Sequence, residues 1–363
     1  MKFTIKKIDF EIALNNLQSF LDKKDHQITS NVHFEINDEI LNLKATDGEI
    51  GIETKIKISN VESDIKEITV NGREILKTIR VLRDENIQIE IEDKNLKISQ
   101  GSFISKMQIF NPDEYPINEY PKNINENSEI KSLNIDSKNF IKNIKKIIPA
   151  IKIDNQKMSL NGALLEIRDY NFNFVSTDTK RLAIIREKIQ TTETLYMIIH
   201  KRALSEIIKL FNNKPDTKIY KSESKLIIVS EETTFFTKII TEKFPEFERI
   251  IPKEFKISLN LPKTKLLEII NRIRSASEII KLTFKKEKIE FESVVQNSSR
   301  KSKEELAFDT KLEEDFEICF NSNFIIDYIN HTNTDVIEFL SNDPNKPFLL
   351  KSDNFQTIIL PVI

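Results

Sequence analysis

Few residues in this sequence have the types and spacing that a catalytic, metal-binding or phosphate-binding site requires. The four histidines stand far apart, and none has the spacing of a metal site: His26, His33, His200 and His331. The single cysteine, Cys319, has no histidine close to it in sequence, and no GxSxG motif is present. Five glycines leave no GxGxxG or Walker-type phosphate loop. We expect no metal and no cofactor. An enzyme is disfavoured, although catalytic groups can also converge from distant segments.

Two aspartates follow apolar strands in similar motifs, Asp47 in TDGE and Asp178 in TDTK. Paired carboxylates are typical of general acid–base catalysis. An aspartate between a strand and a turn more often accepts hydrogen bonds from backbone amides. We expect this turn role for both residues and assign neither a catalytic function.

The composition favours two or three domains with heavily charged surfaces, since the 363 residues are 39% hydrophobic and 31% charged. No apolar run approaches the length of a membrane span, and charges interrupt the apolar residues of the N-terminal segment, so no signal peptide is predicted. One cysteine excludes an intramolecular disulfide and fits a reducing compartment. We expect a cytoplasmic protein without membrane contact.

An internal threefold repeat is the most informative feature of the sequence. Apolar residues at helical spacing recur three times, each time followed by two alternating runs that predict a hairpin. A strand that leads into a second amphipathic helix recurs as well. The first helix lies at 5–21, 135–151 and 261–273, and the strand with the second helix at 68–82, 196–211 and 318–330.

Three copies of about 125 residues account for nearly the whole chain, a size that suits three independent cores. Each copy carries two helices and the strands of antiparallel sheets, so the predicted fold class is α+β. We place the domains at 1–124, 128–251 and 252–363. The matching order of elements argues against three unrelated domains.

Positive charge concentrates on the predicted helices, although the whole chain has a net charge of −2. The sums are +3 over 73–83, +4 over 138–146, +2 over 201–209 and +3 over 263–274. A charged run on one helix is usually a solvated face. Repetition on four helices instead indicates a surface for phosphates, and the one aromatic residue in these segments, Phe140, belongs to the apolar stripe of its helix.

The repeat, the charge and several local motifs together resemble the bacterial beta sliding clamp family, the processivity subunit of DNA polymerase III. The motifs run in order along essentially the entire chain: MKFTI, TVNGREI, SLNGALLEI, STDTKRLA, EKFPEFERIIP and IILPVI. The resemblance implies three copies of one α+β domain per chain. It also implies a head-to-tail homodimer that closes into a ring, with helices lining the hole.

The function implied by the resemblance is topological. A ring on double-stranded DNA stays bound without sequence specificity and tethers other proteins, and it has no catalytic site of its own. The implied partners are the DNA polymerase III alpha subunit, clamp-loader subunits and other proteins with a clamp-binding motif.

The implied DNA contacts fall on Lys23 or Lys24 and on Arg73. To these we add cations of the predicted helices: Lys77, Arg80, Lys142, Lys145, Lys146 and Arg202. A further contact loop of the family falls on 154–159, where Asp154, Met158 and Ser159 replace the usual polar and aromatic residues.

The resemblance also implies a cleft between the second and third domains that receives an extended peptide with apolar anchors. The implied cleft residues are Leu160, Thr177, Lys180, Arg181, Leu182, Pro245, Arg249, Ile250, Ile358, Leu360 and Val362. Taken singly, Leu160, Leu182 and Ile358 are better explained as ordinary core. Lys180 departs from the family, which commonly has a Gly-His pair before the arginine. We expect Arg181 and Arg249 to be unimportant for the core.

The two outer domains are expected to pair through edge strands near 101–109 and 303–308. The residues predicted at this dimer interface are Ile104, Lys106, Met107, Ile273, Glu304 and Glu305. Covering these edges would also remove an aggregation hazard. Two alternatives to the ring stay open: a scaffold built from the same repeats that does not bind nucleic acid, and an enzyme whose site is assembled from dispersed residues.

Overall fold

The fold is given by a computed structural model. The structure describes residues 1–23, 27–62, 66–121, 124, 131–133, 135–212, 214, 217–295 and 301–363. Within these ranges there are six α-helices and 25 β-strands. None of the helices in this part of the chain combines the length and hydropathy that a membrane span requires.

The elements follow one order three times, which confirms the predicted repeat: a strand, a helix, four strands, a second helix and three strands. The first copy has one extra strand, β5. Its elements are β1 (Lys2–Lys6), α1 (Lys7–Leu17), β2 (Asn31–Asn37), β3 (Ile40–Thr46), β4 (Ile50–Lys57), β5 (Ser59–Glu62), β6 (Glu67–Asn71), α2 (Gly72–Arg80), β7 (Asn86–Glu92), β8 (Asn95–Gln100) and β9 (Phe103–Phe110).

The other two copies keep this order. The second consists of β10 (Lys131–Leu133), α3 (Ser137–Ile147), β11 (Gly162–Arg168), β12 (Asn171–Thr177), β13 (Arg181–Lys188), β14 (Leu195–His200), α4 (Lys201–Phe211), β15 (Lys218–Lys221), β16 (Lys225–Val229) and β17 (Thr233–Lys238). The third consists of β18 (Ile257–Pro262), α5 (Lys263–Ile273), β19 (Ile279–Lys285), β20 (Lys288–Ser293), β21 (Lys303–Ala307), β22 (Phe316–Asn321), α6 (Ser322–His331), β23 (Val336–Ser341), β24 (Phe348–Ser352) and β25 (Phe355–Ile359).

The first helix of each copy buries the apolar stripe that its sequence predicts. Phe10 in α1, Phe140 in α3 and Leu266 in α5 are at most 2% exposed. Side chains one and two turns further along each helix are also buried. The second helices begin at defined caps, since the Asn71 side chain accepts hydrogen bonds from the backbone N–H groups of Arg73 and Glu74.

The described residues form two compact units, residues 1–141 with 205–239 and residues 142–204 with 240–363. The first unit contains a 13-stranded sheet in the order β10-β15-β16-β17-β4-β3-β2-β6-β9-β8-β7-β1-β5. The second contains an eight-stranded sheet, β14-β11-β12-β13-β25-β24-β23-β18, and a four-stranded sheet, β21-β20-β19-β22. The units cut across the repeats because each long sheet continues from one repeat into the next.

Each long sheet crosses from one repeat to the next at an antiparallel strand pair, which we call a joint. The joint in the first unit pairs β4 with β17 and places Gly51 opposite Phe236. The joint in the second unit pairs β13 with β25 and places Leu182 opposite Ile358. A Cβ atom on Gly51 would lie 2.3 Å from the Phe236 ring, so only glycine lets this ring pack against the strand.

The segment that follows β9 covers the joint of the first unit. Tyr115 and Tyr120 are buried, and the Tyr120 ring meets the Phe236 ring edge to face at a centroid distance of 5.2 Å. The Tyr115 hydroxyl donates to the Lys44 carbonyl oxygen at 3.2 Å. Lys225 Nζ lies 2.9 Å from Glu119 Oε2 and fixes the end of the segment.

His33 is the one buried histidine among the described residues, at 1% exposure on β2. Its Nε2 atom lies 3.2 Å from Glu67 Oε2, and its ring lies 5.3 Å from the Tyr115 ring. Its Nδ1 atom has no hydrogen-bond partner among the residues that the structure describes. Burial, and then the nearby Lys44 ammonium, lower the pKa of His33 below 6.5, although Glu67 acts in the opposite direction.

This environment predicts a loss of stability in mild acid. The unfolded imidazole takes up a proton near pH 6.5, whereas the folded protein binds it more weakly, so the free energy of unfolding falls as the pH drops below 6.5. Urea denaturation between pH 8 and 5 should show a component of at most about 1.4 kcal/mol per pH unit that disappears in His33→Gln. The control His331→Gln should keep it. An identical pH dependence in all three proteins would contradict the assignment.

Candidate functional site

An apolar cavity of about 350 Å³ lies in the second unit, beside the joint between β13 and β25. The structure brings nine of the predicted cleft residues together in its lining: Leu160, Thr177, Lys180, Arg181, Leu182, Pro245, Ile250, Ile358 and Leu360. Lys157 and Thr179 also line it and were not predicted. The available signal for these two lining residues was their position in sequence, since Lys157 precedes Leu160 by three residues and Thr179 precedes Lys180 directly. We call this cavity the joint pocket.

The floor of the joint pocket is part of the hydrophobic core. Leu160, Leu182 and Ile358 are at most 5% exposed and belong to one cluster with Phe244 and Phe247. The backbone N–H of Phe244 donates to the Tyr196 hydroxyl at 2.7 Å. This bond holds Phe244 and the neighbouring pocket residue Pro245 against β14. Leu160, Leu182 and Ile358 are therefore core residues, as their apolar character predicts, and their upper surfaces also line the cavity.

Two predicted cleft residues lie elsewhere. The Arg249 side chain is 82% exposed, pairs with Glu246 at 2.7 Å and does not line the joint pocket. Val362 lines a second cavity of about 420 Å³, which we call the tail pocket. Its backbone N–H donates to the Cys319 carbonyl oxygen at 2.8 Å, so this end of the chain lies along β22. The tail pocket is lined by Lys180, Ile279, Asn321, Phe324, Leu360, Pro361, Val362 and Ile363.

A tight turn between β12 and β13 forms one wall of both cavities. Asp178 Oδ1 accepts hydrogen bonds from the backbone N–H groups of Lys180 and Arg181, at 3.0 and 2.9 Å. Thr177 Oγ1 donates to the Arg181 carbonyl oxygen and accepts from the Thr179 N–H. In the first repeat, Asp47 accepts from the N–H groups of Glu49 and Ile50 in the same way. The turn role expected for both aspartates is confirmed.

Thr179 occupies the left-handed backbone region, with φ of 73°. A β-branched residue is strained there, and such strain persists only where surrounding bonds over-determine the backbone. The side chains of Thr177 and Asp178 supply those bonds. The strained turn directs Lys180 to the rim that the two cavities share.

Arg181 is not the surface residue that the sequence predicted. It is 8% exposed, and its guanidinium bonds Asp178 at 3.1 Å, Asp327 of α6 at 2.6 Å and the Pro149 carbonyl oxygen. It also stacks on the Phe324 ring, 4.6 Å from the ring centroid. The expectation that Arg181 does not matter to the core is wrong, because its buried guanidinium connects three segments of the second unit.

The predicted DNA-contacting cations of the first unit lie close together. The Arg73 guanidinium donates to the backbone carbonyl oxygens of Asp22 and Lys23, which brings Lys23 and Arg73 side by side. Arg73, Lys77 and Arg80 line one groove of about 460 Å³ between α1 and α2. Arg73 is half-buried rather than exposed, whereas Lys23, Lys77 and Arg80 are exposed. Lys24 lies outside the described residues.

The predicted cations of the second unit differ in exposure. Lys142 and Arg202 are exposed, whereas Lys145 and Lys146 are half-buried. Lys146 Nζ lies 5.5 Å from the centroid of the Phe355 ring. Burial, and then the neighbouring Lys142 charge, lower the pKa of Lys146. Lys146 is therefore less accessible to a phosphate group than Lys142. Within the described ranges no group of three or more His, Cys, Asp or Glu side chains is placed to hold a metal ion.

Comparison with known proteins identifies the family. Three models of the DNA polymerase III beta subunit match in order: the N-terminal domain over 1–121, the central domain over 134–246 and the C-terminal domain over 248–362. The beta sliding clamp of Helicobacter pylori strain J99 is 36% identical over 97% of this chain and 94% of its own length. The chain belongs to the bacterial beta sliding clamp family.

Solved clamp structures agree with this assignment. A crystal structure of the Helicobacter pylori beta clamp bound to a DNA ligase peptide is 33% identical, covers 100% of both chains and has a TM-score of 0.90. The beta subunit of Pseudomonas aeruginosa, at 20% identity and a TM-score of 0.89, shows the fold alone. This chain therefore has the three clamp domains of helices and antiparallel sheets that the sequence predicted.

The strands predicted at the clamp dimer interface have open edges. Among the described residues, β21 lies at the end of its sheet and pairs with β20 alone. β9 lies inside its sheet but pairs with β6 only at Ile109 and Phe110, which leaves one edge of 103–108 open. Ile104 is 57% exposed on β9. Met107 and Ile273 are 8% and 2% exposed, so both are core residues of this chain and not surface contacts. Met107 lies three positions from Ile104, and alternation along a strand places the two on opposite faces.

The charged residues predicted at this interface already have partners within the chain. Arg272 forms a two-pronged ion pair with Glu304 and lowers the pKa of that carboxyl. Glu305 pairs with Lys288 at 2.9 Å, and Lys106 pairs with Glu92 at 2.6 Å.

The two arginines proposed for the clamp pocket should behave differently. Arg181→Met removes the partner of the nearly buried Asp178 carboxylate and of the more exposed Asp327 carboxylate, and it should lower the free energy of unfolding by about 2–4 kcal/mol. Arg249→Met removes an exposed ion pair and should change it by less than about 1 kcal/mol. Urea denaturation of both variants measures the difference. Equal stability of the two variants would show that the Arg181 network does not hold the second unit together.

Proposed function

We propose that this chain works as a sliding clamp: two copies close head to tail into a ring around duplex DNA and tether the replicative polymerase. Membership of the clamp family supports the activity. One structural observation carries the proposal. Both joints are formed by corresponding strands of the repeats, and the strands that correspond to them in the remaining positions, β9 and β21, have open edges.

Corresponding positions in the three repeats define what the open edges should pair with. β21 follows β20 as β4 follows β3 and β13 follows β12, and β9 ends its repeat as β17 and β25 end theirs. β4 pairs with β17 and β13 with β25. Pairing β21 of one chain with β9 of its partner would therefore form the same joint a third time. Two such contacts close a ring of six repeats.

The two joints also give the register. Ile52 stands opposite Phe235 in the first unit, and Ala183 stands opposite Thr357 in the second. We infer the equivalent pair at the third joint as Ser302 opposite Ser105 of the partner. At this register the exposed Ile104 and Phe103 lie opposite Lys303 and Glu304.

We propose that DNA is held by phosphate contacts from Lys23, Arg73, Lys77 and Arg80 in the first unit and from Lys142 and Arg202 in the second, with Lys24 assigned from sequence. Surface lysines and arginines favour weak, salt-sensitive contacts that allow sliding, and the aromatic ring among the α3 cations, Phe140, is buried and cannot stack on bases. Retention would come from the closed ring.

We propose that the joint pocket receives short extended peptides of partner proteins, with leucine or phenylalanine side chains on the floor formed by Leu160, Leu182 and Ile358. The DNA polymerase III alpha subunit, clamp-loader subunits and other proteins with clamp-binding motifs are the proposed partners. The family is a processivity factor, and we propose that this chain has no catalytic site and acts in the cytoplasm. The proposed domain limits are 1–124, 128–251 and 252–363.

Disulfide trapping tests the register. Ser105→Cys with Ser302→Cys, in a Cys319→Ser background, should oxidise to a dimer linked at both joints, because the paired Cβ atoms would lie within disulfide range. The control Ser105→Cys with Glu305→Cys is three residues out of register, about 10 Å along the strand, and should stay largely monomeric on a non-reducing gel. Equal cross-linking of both pairs would contradict the proposed register.

Retention on DNA tests the ring itself. Clamps loaded onto nicked circular plasmid by a clamp loader should co-elute with it in gel filtration and should leave when one restriction cut makes the DNA linear. Binding to short linear duplex should be weak and should fall steeply with salt. Equal loss from circular and linear DNA would exclude topological binding, and a strong preference for one base sequence would contradict phosphate-only contact.

A further inference from the structure

We propose that Arg73 is a positioning residue for DNA binding: its guanidinium fixes the main chain at Lys23, so that the Lys23 side chain meets a DNA phosphate. The inference rests on the proposed function, because it requires duplex DNA to lie against this part of the first unit. It refines the part that Arg73 plays there, since Arg73 contributes through Lys23 more than through its own charge.

The Arg73 guanidinium is bonded to the main chain at two points. One terminal nitrogen donates to the Lys23 carbonyl oxygen at 3.0 Å, and the other donates to the Asp22 carbonyl oxygen. The Asp22 backbone N–H donates in turn to the Thr29 carbonyl oxygen at 3.0 Å. A planar guanidinium can bridge two acceptors in a fixed geometry, whereas an ammonium group on a flexible stem is a point charge. Arg73 therefore fixes the path of the chain at Lys23.

The two cations differ in exposure. Arg73 is half-buried, whereas Lys23 is exposed. The backbone of Arg73 is also held, because its N–H donates to the Asn71 side chain at 3.0 Å at the start of α2. A rigid, half-buried cation on carbonyl oxygens suits a support, and an exposed lysine beside it suits a phosphate contact. Preorganisation of this kind reduces the ordering that binding requires.

The second copy makes the corresponding contact with a different residue. Arg73 and Arg202 are the second residues of α2 and α4, and the backbone N–H of Arg202 donates to His200 Nδ1 at 3.1 Å. In α4 the first helical residue, Lys201, donates to a carbonyl oxygen, that of Ile151 after α3. Lys201 is half-buried and Arg202 is exposed. Support and exposure thus fall on two residues in α4, whereas Arg73 itself provides the support in α2.

The third copy shows that the fold does not require such an anchor. The two positions at the start of its second helix are Ser322 and Asn323, which carry no charge. The Ser322 backbone N–H donates to the Glu278 carbonyl oxygen at 2.8 Å. A cation bound to carbonyl oxygens at this place is therefore not a general need of the repeat, which favours a role in binding.

The test measures the affinity of the full-length clamp for a short fluorescein-labelled DNA duplex by anisotropy, at several NaCl concentrations. The logarithm of the binding constant falls with the logarithm of the salt concentration, with a slope of about 0.9 for each phosphate contact. The slope therefore counts contacts, and the affinity at one salt concentration gives their combined strength.

Exchange of arginine for lysine supplies the specific signature. Arg73→Lys keeps the net charge, yet it should weaken binding about three- to fivefold at low salt and reduce the slope by about 0.9. Lys23→Gln should do the same. The double variant should bind no more weakly than Lys23→Gln alone, because both changes remove one contact. The matched control Arg202→Lys, at the corresponding position of α4, should stay within about twofold of the wild type.

The salt slope also separates positioning from a purely structural role. Partial loss of folded protein, which urea denaturation of each variant measures, would lower the amount of DNA bound but would leave the slope unchanged. Wild-type behaviour of Arg73→Lys would overturn the inference, because Arg73 would then act as a charge. Additive losses in the double variant would overturn it too, because Arg73 would not act through Lys23. A wild-type clamp that neither binds duplex nor stays on circular plasmid would overturn the proposed function as well.

Discussion

Main-chain hydrogen bonding at the joints is the constraint on which the rest of the structure depends. A strand edge in water needs a partner or a cover, because its N–H and C=O groups otherwise recruit other chains. Two joints meet this need inside the chain, by pairing β4 with β17 and β13 with β25. The same strand types remain at the two outer domains. In the proposed head-to-tail dimer they would gain the same partner, so ring closure and edge protection would have one physical cause.

The two joints have the same backbone pairing but different side chains. This difference explains why the joint pocket lies at the second joint. At the first joint Gly51 leaves room for the Phe236 ring, and Tyr120 packs on that ring edge to face. At the second joint Leu182 and Ile358 take the equivalent positions, and the space above them stays open as the joint pocket. The difference in these two opposed side chains thus leaves a cavity at the second joint and a filled contact at the first.

The sequence predicted what depends on local pattern and repeat: the order of elements, the buried stripes around Phe10 and Phe140, and the turn role of Asp178. It could not predict contacts between residues far apart in the chain. Arg181 and Asp327 are 146 residues apart, so nothing local shows that this arginine is buried. Met107 is buried because the two-residue period of β9 places it on the face opposite the exposed Ile104. Most of the pocket positions followed from the family, whereas the shared rim at Lys180 required the geometry.

The most direct measurement of the central claim is amide hydrogen exchange, followed residue by residue as the protein concentration is raised through the monomer–dimer transition. If the third joint repeats the other two, backbone amides in 103–108 and 303–307 should gain protection together with dimer formation. Amides in β4 and β17, already paired within the chain, should not change. Dimer formation seen by sedimentation without added protection in either segment would contradict the account, because the two chains would then be held by a different contact.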